Sequence, residues 1–163
     1  MSNIYVLNAS PLILLGKADL LRVVSPLAES WIIPDGVADE VKIKKPISAH
    51  IAGLEYSSSK VTLKAVPQIH PLVAAWDLGN GESEVLTLAM EHGGNCKSVL
   101  HDLQARKCAN LLKVSLVGTL GLLVMAKRVG LIEAVRPEIE KLLGIGLRID
   151  PVLLSNVYHK IGE

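Results

Sequence analysis

The sequence predicts an α/β fold in which a mostly parallel central sheet is covered by helices on both faces. Short apolar runs bounded by Pro, Gly, Asn or Asp recur along the chain, and stretches with helical periodicity lie between them. Strands that alternate with helices of about eight to twelve residues demand parallel pairing, because each crossover returns the chain to the same end of the sheet. A length of 163 residues, half of them apolar, suits one compact domain spanning 1–163.

Ile4 and Val6 alternate with Tyr5 and Leu7 in a first buried strand ending at Asn8. Pro11 suits the first turn of the helix that follows. Trp31, Ile32 and Ile33 form a second strand, stopped by Pro34, and Asp35 is placed to cap a helix through Val37, Glu40 and Val41. Residues 42–60, with Lys42, Lys44, Lys45, Pro46 and the run Ser57-Ser58-Ser59, read as the least ordered part. A strand is expected from Val61 to Val66, then a turn at Leu78-Gly79-Asn80-Gly81 and a helix from Glu82 to Glu91 ended by Gly93-Gly94. Ser98–Leu100 reads as a strand, Leu103–Leu112 as a helix and Val114–Val117 as a strand leading into Gly118-Thr119-Leu120-Gly121. Two more helical stretches surround Leu147-Arg148-Ile149, and no internal repeat is visible.

Composition excludes several functions. The formal charge of +1 rules out a histone-like cation, so any nucleic-acid contact must be a local patch. Five aromatics (Tyr5, Trp31, Tyr56, Trp76 and Tyr158) are too few for a base-stacking sheet. Cys96 and Cys108 form no CxxC pair and accompany no zinc-finger spacing, which points to a reduced, cytoplasmic setting. No apolar stretch reaches the roughly 18 residues that span a bilayer, so neither signal peptide nor membrane helix is expected.

In parallel sheets ligands collect at the carboxyl ends of the strands. Asn8 ends the first strand, and Asp102 lies just past the strand through Leu100. On the following helix, Glu82 has Val85, Leu86 and Ala89 at i+3, i+4 and i+7, so it should face the sheet, whereas Glu84 has Thr87, Leu88 and Glu91 and should face away. Glu40 follows Val37 by three residues and can share the inward face. Converging carboxylates repel one another unless a hard divalent cation lies among them. The ordinary alternative is a solvated Glu40 and a Glu82 that complements its helix dipole.

Taken together, Asn8-Ala9-Ser10-Pro11-Leu12-Ile13, the helix bearing Glu40 after Ile33-Pro34, Gly81-Glu82-Ser83-Glu84, and His101-Asp102-Leu103-Gln104-Ala105-Arg106 resemble the PIN-domain ribonucleases. The likeness is to the VapC-like toxin branch, which has an Asp-Thr-Ser-Pro-Leu opening, a Gly-Glu-x-Glu helix and an Asp-Asp-x-x-Ala-Arg segment. Gly118-Thr119-Leu120-Gly121-Leu122-Leu123 and Lys127-Arg128-Val129-Gly130-Leu131-Ile132 match it in order and spacing, and the resemblance runs from residue 3 to about 155.

The resemblance implies a three-layer PIN-like fold and a metal-dependent endoribonuclease acting on single-stranded RNA. It also implies the toxin component of a toxin–antitoxin pair, cytoplasmic, homodimeric and silenced by a cognate antitoxin protein. Residue by residue, Glu40, Glu82 and Asp102 match metal-binding carboxylates for Mg²⁺ or Mn²⁺, and Asn8 stands at the leading catalytic Asp. Ser10 matches a hydroxyl supporting that position, and Thr119 falls in the Gly-Thr turn, where it lines the site or shapes the chain. Arg106 and Lys107 are placed to pair a substrate phosphate or a site carboxylate, and Lys42, Lys44 and Lys45 to guide RNA; the ordinary reading of each is a solvated face.

Two departures stand out: Asn8 for Asp, and His101 for the first residue of the Asp-Asp pair. Asn keeps a carbonyl oxygen for a metal but loses a charge and adds an NH₂ that only donates. The cation is therefore expected to bind weakly and the nuclease to be weakened or inactivated. Three origins fit Asn8: degeneration, a substitution introduced to allow expression of a toxic protein, and a site that works with Asn; the second does not account for His101 as well. His101 reads as a ligand, an acid or a surface histidine. The competing function is a catalytically silent PIN module acting in RNA binding or protein assembly. Gly118-x-x-Gly121 is too loose for a nucleotide loop, and no Walker sequence is present.

Overall fold

A computed structural model describes residues 3–163. The chain runs β1 (Ile4–Leu7), α1 (Ala9–Lys17), α2 (Leu21–Val24), β2 (Ser30–Pro34), α3 (Asp35–Val41), α4 (Ile47–Ile51), β3 (Lys60–Lys64), α5 (Pro71–Ala74), α6 (Asn80–His92), β4 (Cys96–Val99), α7 (Leu103–Leu111), β5 (Leu116–Val117), α8 (Thr119–Arg128), α9 (Arg136–Gly144) and α10 (Pro151–Ile161). The strands form one sheet in the order β3-β2-β1-β4-β5, every pair parallel. Helices flank this sheet in the expected three-layer α/β arrangement.

The order places the functional edge. From β1 the chain winds outward through β2 to β3, then returns to lay β4 on the other side of β1 and β5 beyond it. Strand succession therefore reverses between β1 and β4, and a crevice opens at their carboxyl ends where the two flanking connections diverge. Leu7 pairs with Val99, and the Asn8 backbone N–H donates to Val99 O at 3.2 Å, so Asn8 and the segment Leu100–Asp102 leave the sheet side by side.

Tyr5, Leu7, Trp31, Ile33 and Val99 are buried in the core with Leu12, Leu15, Leu86 and Leu122 from the helices. Tyr5 and Trp31 meet edge to face at 5.1 Å, a geometry that suits the ring quadrupoles. Both cysteines are buried thiols, and burial pushes Cys96 up to about 11, which leaves it inert as a nucleophile.

Several local expectations shift. Asp35 is the first residue of α3 rather than its cap, since Pro34 still belongs to β2 and pairs with Lys64. Helix α6 absorbs part of the expected turn, beginning at Asn80 with Gly79 as its cap, and Gly93 ends it at φ 72°. Thr119, expected in a turn, opens α8. The segment 42–60 is more structured than its composition suggests. Besides α4 it carries a short 3₁₀ turn at Leu54–Tyr56, and its serines grip the core. Ser25 Oγ donates to Leu54 O at 2.5 Å and lies 2.6 Å from Ser57 Oγ, while Ser59 Oγ lies 2.5 Å from Ala28 O. Those hydroxyls satisfy backbone carbonyls where an apolar side chain would leave them unpaired.

At the far end, α10 has no fully buried residue and is fastened by Glu163. The Glu163 carboxylate accepts from Lys127 Nζ at 2.7 Å, Val135 N at 2.9 Å and Arg136 N at 2.8 Å, at the start of α9. Burial alone would raise its pKa, but the Lys127 bond, the two backbone donors and the Lys127 charge outweigh that and hold it at about 2. Because the folded value lies below the ordinary one of 4.5, this fastening is complete above pH 4.5 and is lost as pH falls toward 2. Glu163→Gln is thus expected to lower the urea midpoint at pH 7, and the difference from the parent should vanish near pH 2; a constant difference across that range would refute it.

Candidate active site

Asn8 caps the crevice floor. It sits at the end of β1 as the residue before α1, and it is 2% exposed. Its side chain does not cap the helix; instead Nδ2 donates to Glu82 Oε1 at 3.3 Å. That leaves Asn8 Oδ1 buried with no hydrogen-bond partner among the described residues. An orphaned carbonyl of this type costs about 1–3 kcal/mol unless something binds it.

The surroundings show what the oxygen faces. Glu82 reaches Asn8 from the first turn of α6, and Glu40 approaches from α3. Gly81 lies between them: a methyl group at its α-carbon would stand 3.2 Å from Asn8 Oδ1 and 3.4 Å from Glu40 Oε2. Glycine keeps that space open between the Asn8 oxygen, the Glu40 carboxylate and Val37, while the Glu82 carboxylate is held on the Nδ2 side of Asn8.

Asp102 is placed differently from the expectation of three carboxylates around one ion. Its Oδ2 caps α7 by accepting from Ala105 N at 2.9 Å, and its side chain is exposed. Among the described residues no three His, Cys, Asp or Glu side chains stand close enough together to hold a metal ion. The donors drawn together are Asn8, Glu40 and Glu82, with Asp102 apart on the next connection. The physical reason is local, because an Asp just before a helix finds its best partner in the free N–H groups of the first turn.

Glu84 is buried rather than turned outward. Its expected outward direction rests on α6 having one apolar stripe, but the helix packs against β1, β2 and β4 on one side and α3, α5 and α7 on others, and it is buried from Ser83 to Ala89. Glu84, 5% exposed, accepts from Gly36 N at 3.2 Å and Asn80 Nδ2 at 2.7 Å, tying α6 to the start of α3. The Asn80 partner four residues earlier was the available signal.

Beside the acidic gap lies a cleft of about 870 Å³ lined by Ser10, His101, Arg106, Thr119 and Arg148 among apolar side chains. His101 Nε2 and Thr119 Oγ1 share a short hydrogen bond. Burial lowers the His101 pKa and the Arg106 charge lowers it further, so the imidazole is neutral at pH 7. Arg106 Nη1 donates to Leu100 O at 3.2 Å, and the guanidinium fits because residue 118 is glycine; a Cβ there would stand 2.9 Å from Nη1. Ser10 is exposed at the mouth, two residues from Asn8, and Lys107 is exposed on α7 and does not line the cleft.

A family model described as a PIN domain (DUF3368) matches residues 4–163. The chain belongs to the PIN-domain family. Comparison with curated proteins gives no match. A PIN domain suggests nuclease-like function, and a divalent metal is the family's general cofactor. The residues present fit such an ion through hard oxygen donors alone, the orphaned Asn8 Oδ1 above all. No helix among the described residues is long and apolar enough to cross a membrane.

Proposed function

We propose that this PIN domain is a metal-dependent endoribonuclease for single-stranded RNA, of the VapC-like toxin type, attenuated by Asn8. The observation that carries the reading is the buried, unpartnered Asn8 Oδ1, which shares the space beside Gly81 with the Glu40 carboxylate while Glu82 holds the Asn8 Nδ2. Glu40, Glu82 and the Asn8 carbonyl would hold Mg²⁺ or Mn²⁺, with Asp102 reaching from the edge. Bound there, the ion would offset phosphate charge and lower the pKa of a water for attack on the phosphodiester.

The chain's own groups supply the rest. Glu82 orients the Asn8 amide through the 3.3 Å bond and so fixes which atom faces the gap. Arg106 offers positive charge to a phosphate while its Leu100 bond holds it in register. Thr119 and neutral His101 offer hydrogen-bonding groups inside the cleft, and Ser10 stands at its mouth. Lys107 acts at most from the outer face of α7.

Incubation of a single-stranded RNA pool with Mn²⁺ or Mg²⁺ tests the reading: slow cleavage is expected, and Glu82→Ala should abolish it. Cleavage that persists unchanged in Glu82→Ala would overturn the reading, and loss of cleavage in Asp102→Ala as well would add Asp102 to the site. The silent RNA-binding or assembly module is the second reading, favoured by the Asn8–Glu82 bond, which occupies one Glu82 oxygen without a metal. Toxins of this type act as homodimers under control of a cognate antitoxin, in the cytoplasm. Exposed Leu103, Leu111, Val152 and Leu153 supply apolar surface for such a contact. Light scattering should then give a dimer mass, and a strict monomer at micromolar concentration would count against it.

A further inference from the structure

The acidic gap has a second hollow on its other side. It measures about 410 Å³ and is bordered by Glu40, Lys17, Lys44 and Lys45 over an apolar floor of Ile13 and Val41. Helix α1 separates it from the larger cleft and serves both. Ser10 and Leu14 line the large cleft, Ile13 and Lys17 the small hollow, and these four positions form one i, i+3, i+4, i+7 stripe on α1. From Ser10 to Lys17 the stripe is about 10 Å long at the helical rise.

The charges on this surface are unbalanced. Lys42 is neutralised by Asp39 at 2.8 Å, but Lys17, Lys44, Lys45, Arg106 and Arg148 make no ion pair among the described residues. Asp150, the carboxylate in the large cleft, is spent on Val152 N at 2.8 Å and Leu153 N at 3.4 Å. Free cations therefore line both hollows on either side of α1, and the Glu40 carboxylate of the acidic gap borders the smaller one, in a protein whose net charge is only +1. The apolar side chains between them are aliphatic, so affinity would rest on phosphate contacts rather than on base stacking.

We propose that one single strand of RNA crosses α1, anchored at one end by Arg106 and Arg148 and at the other by Lys17, Lys44 and Lys45. The scissile phosphate then lies over the acidic gap between the two anchors. This path rests on the ribonuclease reading and adds to it a two-ended anchor and a minimum length of strand. A strand that fills only one hollow loses half of its phosphate contacts.

The test is fluorescence anisotropy of labelled oligouridine in EDTA, where no cleavage confuses binding. A strand of about 12 nucleotides is compared with one of about 3. Lys44→Ala/Lys45→Ala and Arg148→Ala change exposed side chains, so circular dichroism should confirm unaltered folding. For the long strand both variants should bind about three- to tenfold more weakly at low salt. The slope of log affinity on log salt should fall by about 1.4 for the lysine pair and about 0.7 for Arg148→Ala. The short strand should respond to one variant and not to the other.

Tight binding of the long strand that ignores the lysine pair would overturn the path and leave the ribonuclease reading standing. Failure of the unaltered protein to bind RNA at all would overturn both. If the lysine pair is needed for binding polyglutamate but not RNA, the small hollow is a protein-docking site and the path is wrong.

Discussion

Asn8→Asp is expected to raise RNA cleavage by at least about 10-fold, the lower end of what even an outer partner of a metal site contributes. The same change should weaken the protein when metal is withheld. Asn8 Nδ2 now donates to Glu82 Oε1 at 3.3 Å, and a carboxylate at that position would face another with no proton between them. A loss of about 1–3 kcal/mol is expected in EDTA, recovered or exceeded with Mn²⁺. The parent, whose amide already quiets Glu82, should show a much smaller Mn²⁺-dependent rise in Tm. Thermal melts of the two proteins with and without Mn²⁺ check this independently of activity. Equal responses would mean that residue 8 does not face the cation, and the attenuated-nuclease reading would fall with it.

Gly36→Ala should be strongly destabilising. A Cβ at position 36 would overlap Glu84 Oε2 and stand 2.5 Å from Asn80 Nδ2. Glu84 would have to leave a position where it is 5% exposed and accepts from Gly36 N and Asn80 Nδ2. A buried carboxylate stripped of partners costs about 3–5 kcal/mol. Because the displaced contact joins α6 to α3, the change should also separate Glu82 from Glu40 and reduce metal affinity. Glu84→Gln, which keeps shape and one acceptor, should cost less. Urea denaturation decides the matter, and a Gly36→Ala unfolding free energy within about 0.5 kcal/mol of the parent would show that α3 can move away freely.

What the sequence could and could not reveal follows from which forces act locally. Strand β1 and the position of Asn8 were legible because alternation and a following Pro11 are local signals. So were Arg106 on α7 and the paired helices of the tail. Glu84 was misread because helical periodicity assumes one wet face, and α6 has almost none over its middle. The order in 42–60 was hidden because Ser57 and Ser59 bond to Ser25 and Ala28, some thirty positions away. The family likeness named Asp102 as a ligand, yet only its bond to Ala105 N shows its carboxylate turned to capping, and nothing local announces that Gly81 guards the gap.

The sheet's two rims bear on assembly. On one side β5 contributes only Leu116–Val117, too short a template for another strand. On the other, β3 is mostly exposed and begins and ends with lysine, so an incoming identical rim would bring ammonium groups together. Neither side invites a visiting strand. Growth by sheet extension is discouraged at both borders, which leaves helical surfaces as the ground on which a second copy or a foreign protein must settle, and shields an otherwise open parallel sheet from fibrous stacking.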